Sequence, residues 1–365
     1  MKILIVDFNG YSPTYTHYFW KALNDNENIN ADVIGTKNIS DLSIFVETAN
    51  YIGFKSRYKI VNYLFNWMIL FKVSKKYDII HFQWLPLLKY SSLDIWLVKA
   101  LKMVNKKILY TVHNFEPHNV VKINEIKRYY SLYGTFKKLV VHTNKTRDKI
   151  RNLELENDVF IFNHGLFYSE FRRHNIFKLN KNNHYNIIMV GFISQYKGYE
   201  DAIKAIAILN EKDKGNYFLQ IKGKGSNTFI AKLNNLIQEL SMQEYIVIQE
   251  GYLETVDLIS TYHSAHLTLM PYKKIEQSGV ALTSLGLGVP IVAYNIGGIS
   301  NVIKNGINGY LVDSNNVKSL ALGIENSFKN NDYLQKNILS NCRLFNTWKD
   351  SSSYLISKYT EMINE

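Results

Sequence analysis

The sequence predicts an α/β protein made of two doubly wound domains, each built on a parallel sheet, facing a cleft. Three observations carry that prediction. Short β-branched runs alternate with longer amphipathic stretches along the whole chain, the rhythm of a parallel sheet covered by helices. The length of 365 residues suits two domains at ~100–200 residues each. Residues 178–184, with Lys178, Asn180, Lys181, Asn182, Asn183 and His184, are polar and aperiodic, as a linker is. The expected domains are 1–179 and 185–346. A helix at 347–365, with apolar or aromatic residues at Trp348, Tyr354, Leu355, Tyr359 and Ile363, is expected to pack back on the first domain.

In the first half, strands are expected at 2–7, 31–35, 78–82, 107–113, 138–142 and 159–162. In the second half they are expected at 186–190, 218–222, 245–249, 266–270, 290–294 and 310–312. Ligands of open α/β sheets bind beyond the carboxyl ends of the strands, so the residues after each strand are the candidates for chemistry.

The first strand runs into Asn9, Gly10 and Tyr11, with a helix from about Thr14. Gly10 permits close backbone approach, and it equally suits a plain turn. The Gly-x-Gly-x-x-Gly dinucleotide fingerprint is absent. The third strand ends in His81, Phe82, Gln83 and Trp84. The fourth runs into His113, Asn114, Glu116, Pro117 and His118, which puts two imidazoles, an amide and a carboxylate within six residues. His113 closes its strand, where an imidazole can bond a hydroxyl or relay a proton. His113 and His118 are five apart across a proline and lack thiol partners, so no metal site is expected from them.

In the second half, the strand ending at Val190 runs into Gly191, Phe192, Ser194, Lys197 and Gly198, then a helix from about Glu200. Unpaired N–H groups at a helix start plus an ammonium make a phosphate site. The next strand exits into Gly223, Lys224 and Gly225, again glycines with basic residues. Two such loops in succession favour a diphosphate, and no Gly-x(4)-Gly-Lys-Ser/Thr is present. Later, Ser278 and Gly279 precede an apolar helix whose N-terminus is expected to face the cleft.

Composition narrows the class. Apolar residues make up 46% and charged residues 20%, which excludes a disordered tail, a collagen and a coiled-coil rod. The apolar-aromatic stretch 61–73 holds Asn62, Asn66 and Lys72 and is too short to span a bilayer. Asp7 comes too early for a signal peptide, and a lone Cys342 fits a reducing cytoplasm. The net charge is +12; residues 1–180 carry 26 basic and 15 acidic residues, the rest 17 and 16. That asymmetry points to a polyanion near the first half, or simply to a solubility charge.

The second half resembles the donor domain of retaining glycosyltransferases of family 4, which have the GT-B fold of two Rossmann-like domains. The matching residues are Val190-Gly191 with Lys197-Gly198, Gly288-Val289-Pro290-Ile291-Val292-Ala293, Gly297-Gly298 and Asn308-Gly309-Tyr310-Leu311-Val312. In the first half, Thr111-Val112-His113-Asn114 with Pro117-His118 resembles a bacterial capsule and exopolysaccharide-assembly branch. Two departures stand out. Phe192 replaces the family's usual arginine. The positions of its usual glutamate pair hold Ile275 and Thr283, with Glu276 one residue off the first.

The resemblance implies a hexosyltransferase that takes a nucleoside diphosphate sugar, UDP favoured over GDP, without a metal or other cofactor. The first domain would be the acceptor side and the second the donor side. The catalytic candidates are His113, Lys197 and Glu276. Donor contacts fall on Gly191, Ser194, Lys197, Gly223, Lys224, Gly251, Tyr252, Leu253, Gln277, Ser278, Gly279, Val280 and Thr283. Acceptor-side candidates are Asn9, Gly10, Tyr11, His81, Trp84, Asn114 and His118. The acceptor implied is a glycan or lipid-linked saccharide. Lys55, Arg57 and Lys59 lead into an aromatic, apolar helix, a pattern that suits the inner face of an anionic cell membrane. No nucleic-acid signature is present. A non-catalytic partner protein and a sugar-nucleotide 2-epimerase are the alternatives.

Overall fold

The computed structural model describes residues 1–8, 10, 12–35, 39–105, 107–116, 122–177, 184–212, 216–275, 278–340 and 345–365. The chain divides into two compact units, Met1–Gly165 with Asn346–Glu365, and Leu166–Phe345.

The first unit holds β1 (Lys2–Asp7), β2 (Asn30–Gly35), β3 (Ile79–Trp84), β4 (Ile108–Val112), β5 (Lys138–Val141) and β6 (Asp158–Ile161). They form one parallel sheet in the order β2-β1-β3-β4-β5-β6. Its longer helices up to β6 are α1 (Pro13–Asn24), α2 (Lys59–Val73), α3 (Leu93–Lys102), α4 (Ile123–Tyr133) and α5 (Asn144–Arg151). Both faces of the sheet are covered, which is why its strands read as continuous apolar runs. Leu4, Val6, Ile80 and Phe82 face one way, into a core with Trp67 and Leu70 of α2. His81, one residue out of phase, faces Phe19 of α1 on the other side.

The second unit holds β7 (Tyr185–Val190), β8 (Tyr217–Gly223), β9 (Ile246–Glu250), β10 (Leu267–Met270), β11 (Ile291–Tyr294) and β12 (Gly309–Val312). Their order is β12-β11-β10-β7-β8-β9, again all parallel. The helices are α6 (Tyr199–Lys212), α7 (Asn227–Glu239), α8 (Thr255–His263), α9 (Gly279–Gly286), α10 (Val317–Lys329) and α11 (Asn331–Ser340). Ile187 and Met189 of β7 pack with Ile203 and Ile206 of α6 and Ile324 of α10. All twelve expected strands are present, with ends displaced by at most two residues.

The units divide after Gly165 and not at 179–185. Residues 166–177 are bound into the second unit by polar contacts that composition does not reveal. Arg172 Nε donates to Gly286 O at 2.9 Å. The Phe177 N–H donates to Gln335 Oε1 at 2.9 Å, and Gln335 Nε2 returns to Phe177 O at 3.3 Å. Counted by unit, the charge is less lopsided than by halves. The first unit has 25 basic and 17 acidic residues, +8, and the second 18 and 14, +4.

The last helix, α12 (Trp348–Asn364), belongs to the first unit and packs on α1. Thr347 caps it by accepting the Asp350 N–H at 3.0 Å. Leu355, Tyr359 and Met362 are buried. Its end is held by Lys107 Nζ on Ile363 O and Lys138 Nζ on Glu365 Oε1, both 2.6 Å. Among the described residues, no helix is long and apolar enough to cross a membrane.

Candidate functional site

In the second unit the sheet reverses its order between β7 and β10, the switch point at which α/β sheets open to ligands. The loops after these two strands meet there. Lys273 N–H donates to Tyr196 O at 2.6 Å. Gly198 allows the approach: it sits at φ +72°, and a Cβ on it would lie 2.0 Å from Pro271 O. Lys197 is carried on a 3₁₀ turn, Gln195–Lys197, and is only 5% exposed. Its Nζ donates to Val190 O at 3.4 Å and stands 5.4 Å from the centre of the Tyr272 ring.

No carboxylate among the described residues pairs with Lys197. Burial alone pushes its pKa from 10.5 down to about 8. By contrast, Lys273 on the neighbouring loop reaches Asp201 at 3.5 Å. Beside Lys197 lies the start of α9. Ser278 caps that helix, accepting the Ala281 N–H at 3.3 Å. A Cβ on Gly191, at φ +102°, would fall 2.9 Å from Lys197 Nζ and 3.9 Å from Val280 Cγ2. Gly191, Lys197 and the first turn of α9 therefore lie together, a buried cation near a helix N-terminus, a combination that suits an anion.

The remaining donor-side candidates are distributed around it. Gly223 abuts Gly191, and the Gly251 N–H donates to Gly223 O at 3.1 Å, so three successive strand ends are contiguous. Lys224 is exposed, its Nζ 5.9 Å from the Tyr252 ring, and Leu253 is half-buried. Ser194 is half-buried, Gly279 is exposed and Thr283 is buried one turn into α9. Phe192, at the place of the expected arginine, is exposed. Glu276 and Gln277 lie outside the described residues. Tyr272 was not anticipated, although its position just after β10 marks it by the same strand-end rule.

In the first unit, His113 follows the end of β4. Trp84, the last residue of β3, stacks on it with ring centres 3.8 Å apart and planes 6° from parallel. Gln83 Oε1 lies 3.1 Å from His113 Nε2, and His113 Nδ1 lies 3.2 Å from His142 Nε2. His142 Nδ1 in turn donates to Phe162 O at 2.8 Å. His164 stands edge-on to His142, ring centres 4.0 Å apart. Tyr15 of α1 packs against all three imidazoles. Burial holds each imidazole below the ordinary histidine range, His142 at about 4.

His81 is corrected as an acceptor contact. It is fully buried inside β3, with Nδ1 on Tyr359 Oη and Nε2 2.7 Å from Thr111 Oγ1, so both nitrogens are used within the unit. Asn114 follows His113, its carbonyl accepting from Tyr133 Oη at 3.3 Å. Gly10 turns the chain after β1, donating to Asp7 O at 3.2 Å. Asn9, Tyr11 and His118 lie outside the described residues. The neighbours of His113 come from other strands, not from its own loop. His142 directly follows β5 and His164 comes just after β6, so the strand-end rule applied to those strands finds both.

Residues 171–343 match the family described as glycosyl transferases group 1. An uncharacterized glycosyltransferase of Haemophilus influenzae is 27% identical over 160 residues, 43% of this chain and 44% of that one. A D-inositol 3-phosphate glycosyltransferase of Paenarthrobacter aurescens is 28% identical over 145 residues, 40% of this chain and 35% of that one. The chain thus matches less than half the length of these relatives. Among solved structures, a glycosyltransferase from Rickettsia africae is similar with a TM-score of 0.71 at 21% identity, covering 99% of this chain and 98% of that one. Anabaena HepE in complex with UDP-glucose is similar with a TM-score of 0.73 at 13% identity, covering 99% and 100%. The fold is therefore the two-domain α/β architecture of GT-B proteins. The match to the glycosyl transferases group 1 family lies within the second unit.

Proposed function

We propose that the chain is a retaining hexosyltransferase that moves a sugar from UDP to a glycan or lipid-linked saccharide in surface polysaccharide assembly. The observation that carries this is the buried Lys197 ammonium, without a described carboxylate partner, beside the N-terminus of α9. As the glycosidic bond to the diphosphate breaks, negative charge grows on the leaving phosphate oxygens. A preorganised ammonium and N–H groups in a dry site stabilise that charge more in the transition state than in the ground state. Losing one such donor typically costs ~10²–10³ in rate. Lys197 and α9 supply the positive charge, and no metal is invoked at the diphosphate. HepE holds UDP-glucose on the same fold, which supports UDP as the nucleotide.

The acceptor reading extends to location. Helix α2 exposes Ile60, Leu64, Phe65 and Met68, and Lys55, Arg57 and Lys59 precede or open it. Apolar side chains flanked by cations suit an anionic bilayer surface. The protein is proposed to work on the cytoplasmic face of the membrane, where a lipid-linked acceptor would be presented.

Thermal shift with UDP, GDP, ADP and their sugars tests the donor site. A ligand at 100 times its Kd adds ~2.7 kcal/mol of stability. Stabilisation by UDP and UDP-sugars is expected. Stabilisation by another nucleotide alone would replace UDP, and none at all would refute the donor site. Donor turnover without an acceptor would turn the reading to an epimerase.

A further inference from the structure

We propose that His113, His142 and His164 form a zinc-binding site at the carboxyl edge of β4, β5 and β6. One ring nitrogen from each lies within 4.8 Å of those of the other two. Two of the three are already at ligand spacing. Zinc–nitrogen bonds of about 2.0–2.1 Å at tetrahedral angles put ligand nitrogens about 3.4 Å apart. His113 Nδ1 and His142 Nε2 are 3.2 Å apart. A shift of roughly an ångström in the third imidazole completes the set.

In two of the three, the other nitrogen is held as it is around bound zinc. His142 Nδ1–H donates to the Phe162 carbonyl, which leaves the Nε2 lone pair for the metal. Gln83 Oε1 beside His113 Nε2 places the proton there and leaves the Nδ1 lone pair. The two lone pairs then face each other, an arrangement that costs energy unless a cation lies between them.

Three imidazoles with no carboxylate or thiolate suit zinc rather than magnesium or calcium. Three protein ligands leave a fourth position for water or an anion. Trp84, Tyr15 and Trp348 wall the group: Trp84 stacks on His113, and Trp348 stacks on His164 with centres 5.7 Å apart. The proposal does not depend on Lys197 or on donor binding, which belong to the other unit.

The competing arrangement needs no metal. Turning the Gln83 amide round makes its NH₂ donate to His113 Nε2, and His113 Nδ1–H then donates to His142 Nε2. Full-length protein stripped with chelator and titrated with zinc and cobalt(II) separates the two. One zinc per chain by calorimetry is expected, with the strong visible bands of tetrahedral cobalt(II). His142→Ala and His164→Gln should each weaken zinc at least tenfold, with far-ultraviolet circular dichroism unchanged for the second. No zinc binding would overturn the proposal in favour of the hydrogen-bonded chain. So would an octahedral cobalt spectrum, or zinc affinity unchanged in a folded His164→Gln protein.

Discussion

Replacing Lys197 with methionine should make the ligand-free protein more stable and nearly inactive. The ammonium is buried, and its pKa falls from 10.5 to about 8 through desolvation. One pKa unit corresponds to about 1.4 kcal/mol, so keeping the charge at pH 7 costs the folded state about 3 kcal/mol. Methionine fills similar space without that cost. The lost contacts with Val190 O and the Tyr272 ring offset part of the gain, by ~1 kcal/mol. The expected net gain is ~1–3 kcal/mol, a rise of several degrees in the transition of the second unit. The gain depends on pH in a fixed direction. Between pH 8 and 10.5 the unfolded wild type holds a proton that the folded one has released. Wild-type stability therefore rises with pH in that window, and the advantage of Lys197→Met shrinks. Differential scanning calorimetry at pH 7, 8.5 and 9.5 measures it, alongside transfer rate from UDP-sugar. A variant less stable than wild type at pH 7, a gap that does not narrow with pH, or near-native turnover would refute the reasoning.

Gly198→Ala should destabilise the second unit by more than ~2 kcal/mol, since φ is +72° and the added Cβ meets Pro271 O at 2.0 Å; thermal denaturation checks this. Tyr359→Phe should cost the first unit ~1–3 kcal/mol by leaving His81 Nδ1 without its partner, measured by urea unfolding. Acid should weaken the first unit early. His81 and His142 have folded pKa values of about 3 and 4 against 6.5 unfolded, so their neutral burial stabilises fully above pH 6.5 and is lost as pH falls towards 4. An unfolding midpoint that stays flat between pH 6.5 and 4.5 would contradict this. Leu64→Glu with Met68→Glu should cut co-sedimentation with anionic phosphatidylglycerol vesicles several-fold while leaving the fold intact. Unchanged sedimentation would remove α2 from the membrane reading.

The sequence by itself determined the strands, their parallel pairing into two sheets and the loop that carries Lys197. These are local matters. A run such as Ile187-Ile188-Met189-Val190 has the length and composition of a buried strand, and Gly191 and Gly198 mark the turns around the lysine. The start of α9 was legible too, because Ser278 before an apolar helix is a cap signal. Only the tertiary structure decided which distant residues share a site. His113, His142 and His164 are 29 and 22 residues apart, and they meet because β4, β5 and β6 lie side by side in register. Read along the chain, His113 and His118 looked like the pair, and His81 looked as available as His113. Both face α1, and position along the strand separates their fates: His81 lies within β3 and faces Phe19 and Tyr359 in the core, while His113 lies past the end of β4 beside Trp84. Period and turns are written in neighbouring residues, whereas register and the packing of helices on a sheet depend on contacts between segments far apart in the chain.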